Sequence, residues 1–257
     1  MLFTRAIVRP PCASFGNGLT AAELGKPDLD LARQQHAGYC AALEQCGLTL
    51  TRLPEDPAFP DSTFVEDTAI VTRNCAILTR PGASSRAGEV ASIAAALPAF
   101  FAHIERIEAP GTVDGGDICQ AGGHFFVGIS ERTNAEGARQ LAALLQREGF
   151  SSDQVDIRGV PGILHLKSGI SYLGDRRLVV IDALADHAAF GGYEVVRISQ
   201  EEEYAANFLR INDRVIVSAG FPQFAASVRA LGCDTIALDM SEFRKMDGAL
   251  SCLSLRF

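Results

Sequence analysis

The sequence predicts an α/β fold built as a ring of five repeated units. Two observations predict it. Short apolar strands alternate with amphipathic helices along all 257 residues, and a polar residue followed by two short apolar strands recurs five times. The instances are VEDTAIVTRNCAILT, DGGDICQAGGHFFVGI, LHLKSGISYLGDRRLVVI, YAANFLRINDRVIVSA and the terminal ALSCLSLRF. With Asp67, Asp117, His165, Asn207 and Cys252 as markers, the spacings are 50, 48, 42 and 45 residues. Periods in this range belong to propeller-like arrays made from one supersecondary unit. The last instance lacks a partner strand, which the N-terminal TRAIVR supplies if the ring closes. Repeats around an axis bring their polar markers together, so Glu66, Asp67, Asp114, His165 and Cys252 are expected to line one concavity.

Each element has a local reason. Leu29 to Gln45 reads as a helix closed by Gly47. Ala69–Val71 and Cys75–Thr79 are apolar runs too short for helices and bounded by turn formers, hence strands. A helix is expected from about Ser84, with Val90, Ile93 and Leu97 inward, until Pro98 breaks it. Phe125–Ile129 is a strand. The next helix has Asn134 as N-cap, Leu141, Leu144 and Leu145 as its apolar stripe, and Gly149 as its stop. Leu178–Ile181, Phe208–Ile211 and Val215–Val217 are strands. Pro222 then opens a helix with Phe224, Val228 and Leu231 on one face and Gly232 at its end.

Composition narrows the function classes. A chain that is 47% hydrophobic and 21% charged is an ordinary globular protein with enough core to need no staple. Seven cysteines without a CxxC pair support neither a metal finger nor a secreted scaffold. The N-terminus carries no basic region with a long apolar run, and no stretch approaches a bilayer span. The expected compartment is the cytoplasm. A net charge of −8 without a basic cluster disfavours nucleic acid and anionic membranes, but not a cationic small molecule. A homodimer is compatible with the sequence.

Among chemical groups, Cys252 stands in the alternating stretch Leu250-Ser251-Cys252-Leu253-Ser254-Leu255, which as a strand puts the thiol on the polar face. Cys40, Cys46, Cys75, Cys119 and Cys233 sit beside apolar neighbours and read as structural thiols. His165 alternates with Leu164 and Leu166 and so points away from them. It gains interest because a cysteine nucleophile needs a proton partner. His36, His103, His124 and His187 read as solvated or capping residues. In Asp114-Gly115-Gly116-Asp117, the Gly pair lets the backbone pass close to another group, although a tight hairpin turn has the same letters. Asp61, Glu66 and Asp67 flank a strand and call for a protein base or a cationic ligand. Neither HExxH nor a glycine-rich phosphate loop is present.

Taken together, GLTAAELGKPD, FPDSTFVED, TRPGASSR, ERIEAPGTVDGGD, FFVGISERTNAEGA, LHLKSGISYL, EEEYAAN and DGALSCLSLRF resemble, in order and nearly end to end, the dimethylarginine dimethylaminohydrolases. These belong to the guanidine-modifying superfamily with the five-bladed α/β-propeller (pentein) fold. The resemblance implies one catalytic domain over residues 1–257 that hydrolyses methylated arginine to citrulline without metal or organic cofactor. It implies Cys252 as nucleophile, His165 as general acid/base and Asp114 as the residue that orients His165. Glu66 and Asp67 would bracket the guanidinium. Asp61 and the Leu19 carbonyl would hold the α-ammonium, Arg86 and Arg132 the α-carboxylate, and Met246 would line the substrate. Some members carry Glu where this chain has Asp114.

The nearest rival is an arginine deiminase. As the resemblance implies, those enzymes place an Asp two residues after the catalytic His, where this chain has Lys167. They also tend to carry a helical insertion for which 257 residues leave little room. A non-catalytic pentein that binds ribosomal subunits would have no reason to keep Cys, His and carboxylates at equivalent repeat positions.

Overall fold

The computed structural model describes residues 2–257, and its strands form five three-stranded sheets. Each sheet has one construction: an antiparallel pair of strands and a third strand parallel to one of them. Ala69–Val71 and Cys75–Leu78 are joined by His103–Arg106. Ile118–Ala121 and His124–Ile129 are joined by Ser151–Asp156. Ile170–Gly174 and Arg177–Ile181 are joined by Glu194–Ile198. Leu209–Ile211 and Arg214–Ser218 are joined by Asp234–Leu238. In the fifth, Ser254–Arg256 runs antiparallel to Arg5–Val8, with Ile7 opposite Leu255, and Arg5–Val8 runs parallel to Thr49–Arg52. The first and last strands of the chain therefore share a sheet, as the truncated fifth repeat requires.

Contacts group the chain into two compact units, one formed by the chain through Val65 together with Asn207–Phe257, the other by Glu66–Ala206. In the second unit, Ile77, Ile107, Phe125 and Val127 pack with Leu141, Leu144 and Leu145 of the helix Ala135–Arg147. That helix has the expected ends: the Asn134 side chain accepts from the Gly137 N–H, and Gly149 takes a left-handed φ of 84°. Truncating Leu141, which is fully buried, would cost about 2–5 kcal/mol. In the first unit Phe15, Phe64 and Phe243 form a tilted aromatic cluster, with Phe15 and Phe243 centroids 5.5 Å apart. The helix Leu29–Gln45 is capped by Asp28 and buries Tyr39 and Leu43. The helix Pro222–Ala230 buries Phe224 and Val228, with Leu231 half-buried beyond its end. No helix among the described residues is long and apolar enough to cross a membrane.

Three expectations need correction. The helix expected from Ser84 is a 3-10 segment over Ser84–Glu89 before it becomes α-helical at Val90–Ala96. Ser and Gly are weak helix formers there, and Arg86 and Glu89 turn inward to buried ionic partners. Neither His165 nor Cys252 lies in a strand. His165 is the extended residue before a 3-10 turn at Leu166–Ser168, and Cys252 lies within one at Leu250–Leu253. The apolar period at the C-terminus is three, not two: Leu250 and Leu253 are both buried, one turn apart, while Cys252 keeps partial exposure. Ser254, expected on the polar face beside Cys252, is fully buried and bonded to the Tyr39 hydroxyl at 2.6 Å. The same device recurs in every repeat: 3-10 turns at Val65–Thr68, Gly115–Asp117, Leu166–Ser168, Gln200–Ala206 and Leu250–Leu253 each precede the first strand of a repeat.

Candidate active site

The residues singled out in the sequence fall in both units. In the unit Glu66–Ala206, Asp114 is the most fully held. It is buried, its N–H donates to Thr133 Oγ1 at 3.1 Å, and its Oδ1 accepts from the Gly82 N–H at 2.8 Å. Its Oδ2 lies 3.1 Å from His165 Nε2 and 3.6 Å from Arg132 Nη1. The Gly pair that follows is a close-approach device rather than a hairpin turn. A Cβ on Gly115 would stand 1.9 Å from the Glu66 carbonyl oxygen, and one on Gly116 would stand 2.5 Å from His165 Nδ1. Both positions therefore require glycine for steric reasons. The Gly116 N–H donates to Asp67 Oδ1 at 2.8 Å, which ties two repeats together directly beneath the imidazole.

Asp67 is in turn bound by Arg86 at 2.6 Å, and Arg86 also grips Glu89 at 2.7 Å. All three side chains are buried. The Arg86 guanidinium thus meets two carboxylates of its own chain, at a position to which the resemblance gives the α-carboxylate of a ligand. Glu66, expected to face a guanidinium, is met by Lys167 Nζ at 2.5 Å. Arg132 keeps partial exposure.

The electrostatics follow from this geometry. Burial opposes a charged imidazole at His165, but the carboxylates of Asp67, Asp117 and Asp114 outweigh it and raise its pKa to about 9. Burial also opposes ionisation of Asp67, yet Arg86, His165 and the Gly116 N–H together hold that carboxyl well below the usual range. At neutral pH this cluster contains an imidazolium, a guanidinium and carboxylates in mutual compensation. Asp67, Asp114 and His165 bring ligand atoms within 4.8 Å of one another, a spacing a cation could use. Their internal partners account for the same closeness, so no metal role is assigned to them.

In the other unit, the Leu19 N–H donates to both Asp61 oxygens, at 3.2 and 3.1 Å. Gly18 lies so close that an added Cβ would meet Asp61 Oδ1 at 2.2 Å and Met246 Cε at 3.2 Å. Leu19, Asp61 and Met246 are thus brought together. The Cys252 turn is held from both sides. The Ser251 N–H donates to Asn207 Oδ1 at 2.9 Å while Asn207 Nδ2 donates to Ser251 Oγ at 3.0 Å, and Arg256 Nη1 donates to the Ser251 carbonyl at 3.0 Å.

Several of these positions were missed as parts of a site. Asn207 stood out only as a repeat marker, Asp117 as a repeat marker and as the second carboxylate flanking the Gly pair, and Glu89 had the signal of lying three residues after Arg86 in a helical stretch. His187 caps a turn as expected, accepting from the Ala189 N–H. His36, expected to be solvated, is buried in the helix Leu29–Gln45. His103 and His124 are strand residues.

No family model matches the chain. It is 46% identical over 257 residues, the full length of both, to the N(G),N(G)-dimethylarginine dimethylaminohydrolase of Pseudomonas aeruginosa. It is 35% identical over 254 residues to the enzyme of the same name from Streptomyces coelicolor, across 98% of this chain and 96% of that one. Among solved structures, the Pseudomonas aeruginosa protein in a cysteine-to-serine form complexed with citrulline superposes with a TM-score of 0.96 at 45% identity, covering all of both chains.

Proposed function

The chain belongs to the dimethylarginine dimethylaminohydrolase family, and we infer that it hydrolyses arginine methylated on a terminal guanidinium nitrogen, releasing citrulline and a methylamine. Its five mixed sheets are the blades of the α/β-propeller (pentein) fold. The observation that carries the functional reading is the full-length 46% identity to a relative that bears this name.

On this reading the whole chain is one catalytic domain, with Cys252 as nucleophile. A free thiol is only a few per cent ionised at neutral pH, and a bound guanidinium beside it favours the thiolate. The sulfur attacks the central carbon. As the carbon–nitrogen bond breaks, protonated His165 delivers its proton to the departing amine, which is otherwise a very poor leaving group. A cysteine-bound thiouronium remains. Neutral His165 then takes a proton from water, whose oxygen bonds to the same carbon; the carbon–sulfur bond breaks and the remaining hydroxyl proton passes to solvent, giving citrulline and thiolate. Asp114 orients the imidazole, a role supported by its 3.1 Å contact and complete burial. A His165 pKa near 9 supports an acid that is charged and ready when substrate binds.

Glu66 and Asp67 are assigned to the guanidinium, Asp61 and the Leu19 carbonyl to the α-ammonium, Arg132 to the α-carboxylate, and Met246 to the substrate chain. Arg86, which also holds Asp67 and Glu89, is assigned with Arg132 to the α-carboxylate. We place the enzyme in the cytoplasm, a reading supported by seven cysteines that are all free thiols. The test is a citrulline assay on purified protein given asymmetric dimethylarginine and plain arginine side by side. Citrulline from the methylated substrate is the expected result; citrulline mainly from arginine, or none from either, overturns the assignment.

A further inference from the structure

Asp117 has no part in the chemistry above, yet it is fully buried, and among the described residues no Lys or Arg pairs with it. A lone buried carboxylate is costly, and a neutral side chain would fill the same space more cheaply. Its partners explain its presence. Oδ1 accepts from the Leu166 N–H at 3.0 Å, the peptide group that follows His165. Oδ2 accepts from the Ser130 hydroxyl at 2.6 Å. Ser130 Oγ accepts from the N–H groups of Arg132 and Thr133, both at 3.0 Å. Thr133 Oγ1 accepts from the Asp114 N–H at 3.1 Å, and Asp114 Oδ2 meets His165 Nε2 at 3.1 Å. The bonds close into a buried circuit that runs from His165 through Asp114, Thr133, Ser130 and Asp117 back to the backbone of His165.

We propose that Asp117 is a positioning residue for hydrolysis: it fixes the backbone that carries His165 directly through the Leu166 N–H, and the Asp114 backbone through Ser130 and Thr133. It also adds a fixed negative charge that keeps the imidazole protonated. The proposal rests on His165 as acid/base. Gly128 supports the geometry, since an added Cβ there would meet Leu166 Cβ at 2.8 Å and Asp117 Oδ1 at 3.0 Å, so this contact admits only glycine. The charges that face His165 in this unit are Asp67 from the Val65–Thr68 turn, Asp114 and Asp117, with Arg86 behind Asp67 and Arg132 behind Asp114. The Glu66–Lys167 pair flanks them as a compensated unit. Asp117 is thus the one carboxylate of the three near His165 that no guanidinium offsets. Burial raises its own pKa, and the imidazolium and hydroxyls oppose that rise.

Asn cannot replace it quietly. Its amide would face Ser130 Oγ, whose two acceptor positions are already used by backbone N–H groups. The experiment compares wild type with Asp117→Asn, Ser130→Ala and Ser130→Thr in citrulline release from asymmetric dimethylarginine between pH 5 and 10, together with an NMR titration of the His165 ring. Asp117→Asn is expected to lower kcat about 10- to 100-fold with KM little changed, and to move the His165 titration down by about one pH unit. Ser130→Ala should lose kcat, and Ser130→Thr should recover most of it. Wild-type activity with an unshifted His165 titration in Asp117→Asn overturns the proposal. If that variant does not fold, equal kcat in Ser130→Ala and wild type overturns it instead. Absence of citrulline from wild type would defeat the functional reading itself, a distinct result, and the ring titration would still decide the electrostatic part.

Discussion

Lys167 Nζ lies 2.5 Å from Glu66 Oε1, so one of the two carboxylates assigned to the substrate guanidinium is already partnered by a cation of the protein. Both side chains are largely buried, so each charge depends on the other for compensation. Asp67 directs its charge to Arg86 and the imidazole. Lys167→Asp removes the cation and adds a second acceptor for guanidinium N–H groups. Its preference, measured as the ratio of kcat/KM for asymmetric dimethylarginine to that for arginine, is expected to move at least about tenfold toward arginine. An unchanged ratio would show that Lys167 does not set substrate choice.

Cys252 is the partly exposed member of a turn whose neighbours Ser251 and Leu253 are buried. Cys252→Ser leaves the Asn207–Ser251 clasp intact, so the turn should keep its shape. Turnover is expected to fall by at least about a thousandfold while citrulline still binds, as read by calorimetry. Retained turnover would remove Cys252 from the chemistry.

Gly116 has ordinary backbone angles, so an alanine there is opposed only by what its methyl group would strike: His165 Nδ1 at 2.5 Å and Asp67 Oδ1 at 3.0 Å. The imidazole must give way by a substantial fraction of an ångström. Displacements of about 1 Å cost on the order of a hundredfold in rate, so Gly116→Ala should lose kcat on that scale. Gly123, where nothing lies within 4 Å, provides the control: Gly123→Ala should be nearly silent in the same assay.

Stability should peak near pH 6.5, because two histidines are perturbed in opposite directions. His36 is buried in the helix Leu29–Gln45, its Nε2 has no hydrogen-bond partner, and burial, aided by Arg52, lowers its pKa from 6.5 to about 4. A base with a depressed folded pKa contributes stability that is complete above 6.5 and is lost as pH falls toward 4, about 3 kcal/mol over the full window. His165 is raised, so its contribution is complete below 6.5 and is lost as pH rises through about 9. Denaturant melts from pH 4.5 to 9 should show both limbs. His36→Gln should flatten the acid limb alone; an unchanged acid limb would assign the loss to other groups.

The sequence alone determined everything whose cause lies within a few neighbouring residues. Asn134 and Gly149 mark the ends of one helix because a cap and a left-handed stop act on the adjacent turn. The hairpins were legible because turn formers bound their apolar runs, and the fivefold repeat because each unit carries the same order of signals. Family membership was legible for a further reason, since its motifs keep their order from end to end. Tertiary structure alone decided the site's inner geometry. Leu250 to Leu255 fits a period of two as well as three, and the side chains that break the tie, Tyr39 on Ser254 and Asn207 on Ser251, come from distant segments. Likewise Arg86 turns to Asp67, Lys167 to Glu66 and Asp117 to the backbone after His165. Buried charges must find partners wherever the fold places them, and local sequence carries no record of which distant group that will be.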